Sequence, residues 1–224
     1  MKASRSCKYI SAETLDRDKM ENSAQKLTRN QKQKRKLILD AALDVFSLDG
    51  FRGASLDEIA LRAGISKPNL LYYYTGKEEI HTALLTGLLG AWLAPLRAVD
   101  PDGDPLSEVL KYLDAKWDMA TEFPLESRLF ANEILRGAPH LQGYLKGSLK
   151  ELVIAKSNLL QQWMDQGKLR QVDPRHLIFS IWAMTQHYAD FDAQVTAILG
   201  DDRAANFAAA RKFQVTMVAQ LLRP

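Results

Sequence analysis

Residues 55–77 read SLDEIALRAGISKPNLLYYYTGK. Two short helical patterns meet there at a glycine. In the first, Leu56, Ile59, Ala60 and Ala63 recur at helical spacing and make one apolar stripe. Ser55 followed by Glu58 predicts a capping box, with hydroxyl and carboxylate each serving one of the first backbone N–H groups. Gly64 suits the left-handed conformation that stops a helix. Ile65 plugs the turn and Ser66 caps the next helix. Pro68 falls in a first turn, where its missing N–H costs nothing. Two helices with a short glycine-containing turn make helix-turn-helix spacing.

The second helix presents Lys67, Asn69, Tyr72 and Tyr73. A recognition helix enters the major groove with its N-terminal residues against base edges. Asn pairs with adenine through two hydrogen bonds, and Lys reaches guanine or phosphate. Ser55, Ser66, Lys67, Pro68, Asn69, Tyr72, Tyr73 and Lys77 are therefore the expected DNA-contacting set. A helical hairpin in some other all-α protein is the competing reading. The basic segment just upstream favours DNA.

The matching positions extend well beyond the turn. Ile38, Ala41, Phe46, Gly50, Phe51, Ile59, Ala60, Gly64, Ser66, Leu70, Tyr73, Lys77 and Glu78 are spread through residues 37–85. On them the stretch resembles the DNA-binding domain of the tetracycline-repressor (TetR) family. It departs from the common pattern at Leu71 and Tyr72, where many members carry Tyr and His, and at Gly76, where a Ser or Asp cap is usual. The resemblance implies an all-α fold: a three-helix reading head followed by a helical effector and dimerisation domain. It also implies a homodimer on double-stranded, palindromic operator DNA.

Charge agrees with that polarity. The formal net charge is +3. Residues 1–36 carry eleven Lys/Arg against four Asp/Glu, so the rest of the chain sums to minus four. A basic arm on a mildly acidic body points to a polyanion at one end. Residues 1–30 are polar and aperiodic and are expected to be disordered, either as a phosphate-binding arm or as a solvated tail. Residues 31–76 are the expected head. Its first helix begins near Gln31 and ends at Asp49-Gly50-Phe51, with Lys32, Lys34, Arg35 and Lys36 placed to touch phosphate.

Residues 77–224 are the expected ligand-binding and dimerisation domain. One helix runs from Lys77 to about Ala98, ended by Pro95 and the loop at Asp100–Pro105. Others are expected from Leu106 to Thr121, Pro124 to Arg136, Leu141 to Gln166, Asp173 to Leu199, and Asp202 to Leu222. The 173–199 helix is apolar around much of its circumference, which requires cover on two sides. A second subunit is the economical cover. Phe191 and Val195, with Phe213 and Met217 on the last helix, are the expected dimer contacts.

Enzyme motifs are missing: no glycine-rich nucleotide loop, no G-x-S-x-G and no H-E-x-x-H. The four histidines are scattered, and His176 and His187 lie about three turns apart on one helix. No metal, cofactor or catalytic residue is expected. The single Cys7 cannot form an internal disulfide and suits a reducing compartment. No stretch is apolar enough to cross a membrane, and a cytoplasmic bacterial protein is expected.

The body interleaves aromatic and polar groups, namely Trp92, Lys116, Trp117, Phe130, Trp182 and Gln186. Aromatics at helical spacing are usually core. Pockets between helices, however, combine flat apolar walls with a few polar groups. Gln186 stands amid apolar neighbours, where an unpaired amide would cost about 1–3 kcal/mol. Trp92–Leu96, Ser127–Phe130, Gly167–Leu169 and above all His176–Phe191 are similar to the regulators of bacterial pyrimidine utilisation within the TetR family. That similarity, from about Leu37 to Val195, implies a repressor released by uracil or a related pyrimidine. The alternatives are a TetR-family regulator of another small aromatic ligand, or a non-DNA-binding all-α scaffold.

Overall fold

A computed structural model describes residues 28–224, and all secondary structure among them is helical. The expected arm lies outside the described residues except at its end. There Thr28 caps α1 (Arg29–Gly53) through a reciprocal box with Gln31, so the helix starts two residues before the expected Gln31. Gly50 leaves helical geometry at φ 65°, as expected for the end of this helix, and one further turn brings Phe51 inward.

The helix-turn-helix forms as α2 (Leu56–Arg62) and α3 (Lys67–Tyr73). Gly64 takes φ +65°, a value that an L side chain would strain. The expected box at Ser55 forms by half. Ser55 Oγ accepts the Glu58 N–H at 3.1 Å, but the Glu58 carboxylate turns along the helix to Arg62 at 2.7 Å. An i,i+4 arginine competes with the cap for that carboxylate.

α4 (Lys77–Arg97) buries Ile80, Leu84, Leu85, Leu88, Leu89 and Trp92. Pro95 does not stop it: it lies two residues before the end, so the helix forgoes one bond to the Ala91 carbonyl and closes just beyond it. α5 (Pro105–Glu122) is capped by Asp104, and α6 (Pro124–Leu135) follows.

Two expected helices are broken. The 141–166 stretch opens with one turn at Gln142–Tyr144 and a π turn at Leu145–Leu149, and becomes α7 only at Lys150–Asp165. Gly147 sits in the π turn with non-helical ψ −108°, at the residue with the least helical preference after proline. The 173–199 stretch divides into α8 (Pro174–Asp190) and α9 (Asp192–Leu199) at Phe191. There Asp190 accepts a hydrogen bond from Ser127, while Asp192 starts a new first turn, where an acidic residue is favoured. α10 (Arg203–Leu222) closes the chain, capped by Asp202.

Packing separates two compact units. One holds the described residues up to Ala91 with Arg128–Leu141, the other Trp92–Ser127 with Gln142–Pro224. The head is thus grouped with most of α4 and most of α6, where the sequence reading drew a boundary at 76/77. In the first unit α2 packs on α1 and on α3. In the second, α8 packs on α5 and α7, and α10 on α5. Their shared core includes Leu113, Trp117, Leu160, Trp163, Ile178, Ile181, Phe207, Val218 and Leu222.

Candidate functional site

The reading surface starts at the turn between α2 and α3. Ser66 Oγ accepts the Asn69 N–H at 3.4 Å, which fixes the first turn of α3, and buried Leu70 anchors the helix from behind. Ser66, Lys67, Pro68, Asn69 and Tyr72 are all exposed, Tyr72 at 72%. The Ser55 and Ser66 oxygens accept within the fold, so each hydroxyl proton is left to donate outward. Tyr73 is half-buried, with its ring edge-on to Tyr72 at 5.0 Å and its carbonyl accepting from Arg35 at 3.1 Å. Lys67 holds Asp57 at 2.9 Å, so the tip of the motif carries an internal ion pair.

The expected phosphate contacts are not all outward. Lys77 Nζ donates to the Ala54 carbonyl at 2.8 Å and the Arg52 carbonyl at 3.4 Å, and lies 4.8 Å over the Phe51 ring. Two of its three donors serve the end of α1. Arg35 stacks on Tyr74 at 4.3 Å, and Lys36 pairs with Asp40 at 2.9 Å. A long basic side chain beside an open backbone end is drawn there before any duplex arrives, and spacing alone does not reveal this.

In the second unit the buried amide is Gln214, not Gln186. Gln214 Oε1 accepts the Trp117 indole N–H at 3.1 Å, and its Nε2 donates to the Met184 carbonyl at 3.1 Å. Gln186 is half-buried. The signal for Gln214 was present as an amide at the inward spacing of Phe207, Ala210 and Val218. Trp182, half-buried, donates to the Tyr112 hydroxyl, and burial raises the pKa of that phenol. Lys116 is buried with its ammonium 5.0 Å from the Trp92 ring. Burial pushes its pKa down to about 8, against the pull of Asp190. A cavity of about 20 Å³ lies among Leu96, Val109, Tyr112, Leu177, Ile178 and Ile181, room for about one water. Phe130 is half-buried and belongs to the first unit.

Comparison with known proteins agrees with this architecture. Residues 38–84 match the family described as bacterial regulatory proteins, tetR family, and residues 85–224 match the YcdC-like protein C-terminal region. The chain belongs to the TetR family. It is 50% identical over 167 residues to the HTH-type transcriptional regulator RutR of Escherichia coli (strain K12), covering 75% of this chain and 79% of RutR. The ketosteroid regulator KstR2 of Mycobacterium tuberculosis superposes with a TM-score of 0.67 at 18% identity, over 91% of this chain and all of KstR2. The putative regulator SCO4942 of Streptomyces coelicolor gives 0.65 at 24% identity, over 85% and 99% of the two chains. Both likenesses show the fold alone.

This TetR-family transcriptional regulator carries its α2–α3 motif as the DNA-binding element of the family. Among the described residues no helix is long and apolar enough to cross a membrane. On α8 and beyond, His176, Phe179, Ala183, His187 and Phe191 form one exposed row, and Phe213 and Leu221 project from α10. Val195, expected beside Phe191 at a partner, is only 7% exposed in the single chain and has little surface left to offer, while Met217 is half-buried. The reading of all four histidines as scattered does not hold in three dimensions. His176 and His187 are exposed, but His81 and His140 meet, with ring centroids 4.9 Å apart.

Proposed function

We propose that this regulator is a homodimeric repressor whose hold on operator DNA is released by a small ligand, uracil or a related pyrimidine. The observation that carries the reading is the 50% identity to RutR over 167 residues. It accompanies the resemblance of residues 37–195 to regulators of pyrimidine utilisation. The exposed tip Ser66–Asn69 with Tyr72 supports base and phosphate contact from α3. Exposed Phe179 and Phe191, and exposed Phe213 on α10, support a helical dimer face, because large apolar side chains left in water favour an interaction surface.

The effector is assigned to the second unit near Trp182, Gln186, Trp117 and Lys116. Uracil offers two carbonyl oxygens and two N–H groups in one plane. The Gln186 amide can meet one O–C–N–H edge with two hydrogen bonds, a buried lysine can donate to a carbonyl, and an indole can stack on the ring. The 20 Å³ cavity would admit no such ring, so binding requires side chains to move. By linkage, a ligand that favours the non-DNA conformer weakens operator binding by the same factor that DNA weakens ligand binding.

Calorimetry with uracil on the full chain, paired with an operator shift assay, tests this. Uracil should bind, raise the melting temperature and lower operator affinity. Gln186→Leu should abolish all three effects while the unliganded variant still binds DNA. No heat with uracil or thymine on folded protein overturns the pyrimidine assignment. The aliphatic lining of the cavity by Leu96, Val109, Leu177, Ile178 and Ile181 favours a second reading, an apolar effector, in that event.

A further inference from the structure

Three residues from three segments converge in the first unit. His81 comes from the first turns of α4, Glu133 from α6, and His140 from the loop beyond α6. Each offers one donor atom, and the three donors lie within 4.8 Å of one another. His81 and Glu133 are buried, at 3% and 4% exposure. Glu133 accepts the His140 backbone N–H at 2.7 Å, and both its oxygens lie 3.2 Å from His140 Nδ1. His81 Nδ1 is buried without a hydrogen-bond partner. Phe46 and Phe51 pack against the His81 ring at 4.8 Å each, and Phe51 against His140 at 5.1 Å, so the donors sit behind an apolar wall.

We propose that His81, Glu133 and His140 bind a divalent transition-metal ion, of which Zn²⁺ is the type. Two imidazoles and one carboxylate are a donor set used for Zn²⁺ and its neighbours, with further positions left for water. Bonds of roughly 2.0–2.2 Å around a tetrahedral ion bring donors to roughly 3.3 Å apart, so the cluster must close by roughly 1.5 Å at most. His140, on a loop and half-buried, is free enough to supply that movement. Two nitrogen donors favour Zn²⁺ and its neighbours over Mg²⁺, which prefers an all-oxygen shell.

The buried, unpartnered Nδ1 atom is what distinguishes this arrangement from a plain Glu133–His140 hydrogen bond. Such a bond explains the loop but gives His81 nothing. A bound ion would fasten α4, α6 and the 137–140 loop together inside the unit that contains the reading head. The inference is independent of the effector reading.

Titrating metal-stripped full-length protein with Co²⁺ and with Zn²⁺, and Mg²⁺ as control, tests the site. Co²⁺ should give a visible d–d band that saturates at one ion per chain. Zn²⁺ at about a hundred times its Kd should raise Tm by roughly 5–10 °C. His140→Ala and Glu133→Gln, neither of which removes the buried His81, should each remove the band and the shift. A wild-type protein with no band and no Tm shift overturns the proposal and leaves a hydrogen-bonded pair. Binding that persists unchanged in both variants also overturns it, since the ion is then held elsewhere, for example near Cys7.

Discussion

Trp117 and Gln214 stand 97 positions apart in the chain and meet at 3.1 Å, indole N–H to amide oxygen, in the buried core between α5 and α10. The amide also reaches the Met184 carbonyl of α8, so one side chain ties three helices. Gln214→Leu preserves volume and removes both bonds. A buried N–H left unpaired costs about 1–3 kcal/mol. Urea unfolding should show that loss as a lower midpoint with an unchanged slope. An unshifted midpoint would mean that water reaches the indole.

Asn69 and Lys77 should fail in different ways. Asn69→Ala removes an exposed amide and nothing internal, so discrimination at one operator position should relax by about 1–3 kcal/mol while the melting temperature holds. Lys77→Ala removes the two carbonyl contacts and the cation over Phe51. It should destabilise the head by about 1–2 kcal/mol and weaken all sequences alike. Competition binding on single-base operator variants, alongside melts of each protein, separates the two. Unchanged sequence preference in Asn69→Ala would remove that residue from the base-reading set.

Lys116 makes stability depend on pH in the alkaline direction. Its folded pKa, about 8, lies below the ordinary 10.5. Between those values the unfolded chain keeps a proton that the native chain has released, so stability rises with pH across that window. Lys116→Met lacks the burial penalty. The variant's advantage over wild type, largest below pH 8, should shrink by roughly 2–3 kcal/mol by pH 10. Taking the difference matters because buried Tyr74, raised to about 12, acts oppositely above pH 10. A constant difference from pH 7 to 10 would place the ammonium in water.

Phe213 is 66% exposed on α10, while Phe207, two turns earlier, is buried in the chain's own core. Phe213→Asp should turn a micromolar dimer into a monomer in sedimentation and leave each chain folded. A monomeric wild type, or a variant still dimeric, would exclude this face.

Much of this was legible in the chain. The turn at Gly64, the cap at Ser66 and the inward row of α4 follow from local rules that tertiary contacts did not oppose. The breaks at Gly147 and Phe191 were not legible, because the apolar spacing continues across both while the backbone does not. Lys77 and Glu58 misled for one reason: each has an internal partner that competes with the expected one. Gln214 and the His81–Glu133–His140 cluster depend on which helices meet, which periodicity does not encode.

The ion pair between Lys67 and Asp57 bears on how such a protein finds its site. Both side chains are solvated, so the pair is worth at most about 1 kcal/mol and is readily exchanged. A lysine already holding a carboxylate brings less free charge to every duplex it meets, and charge is what makes indiscriminate binding strong. A chromosome is mostly wrong sequence. A chain whose tip is discounted in this way should hold that excess less strongly than one with a free lysine there.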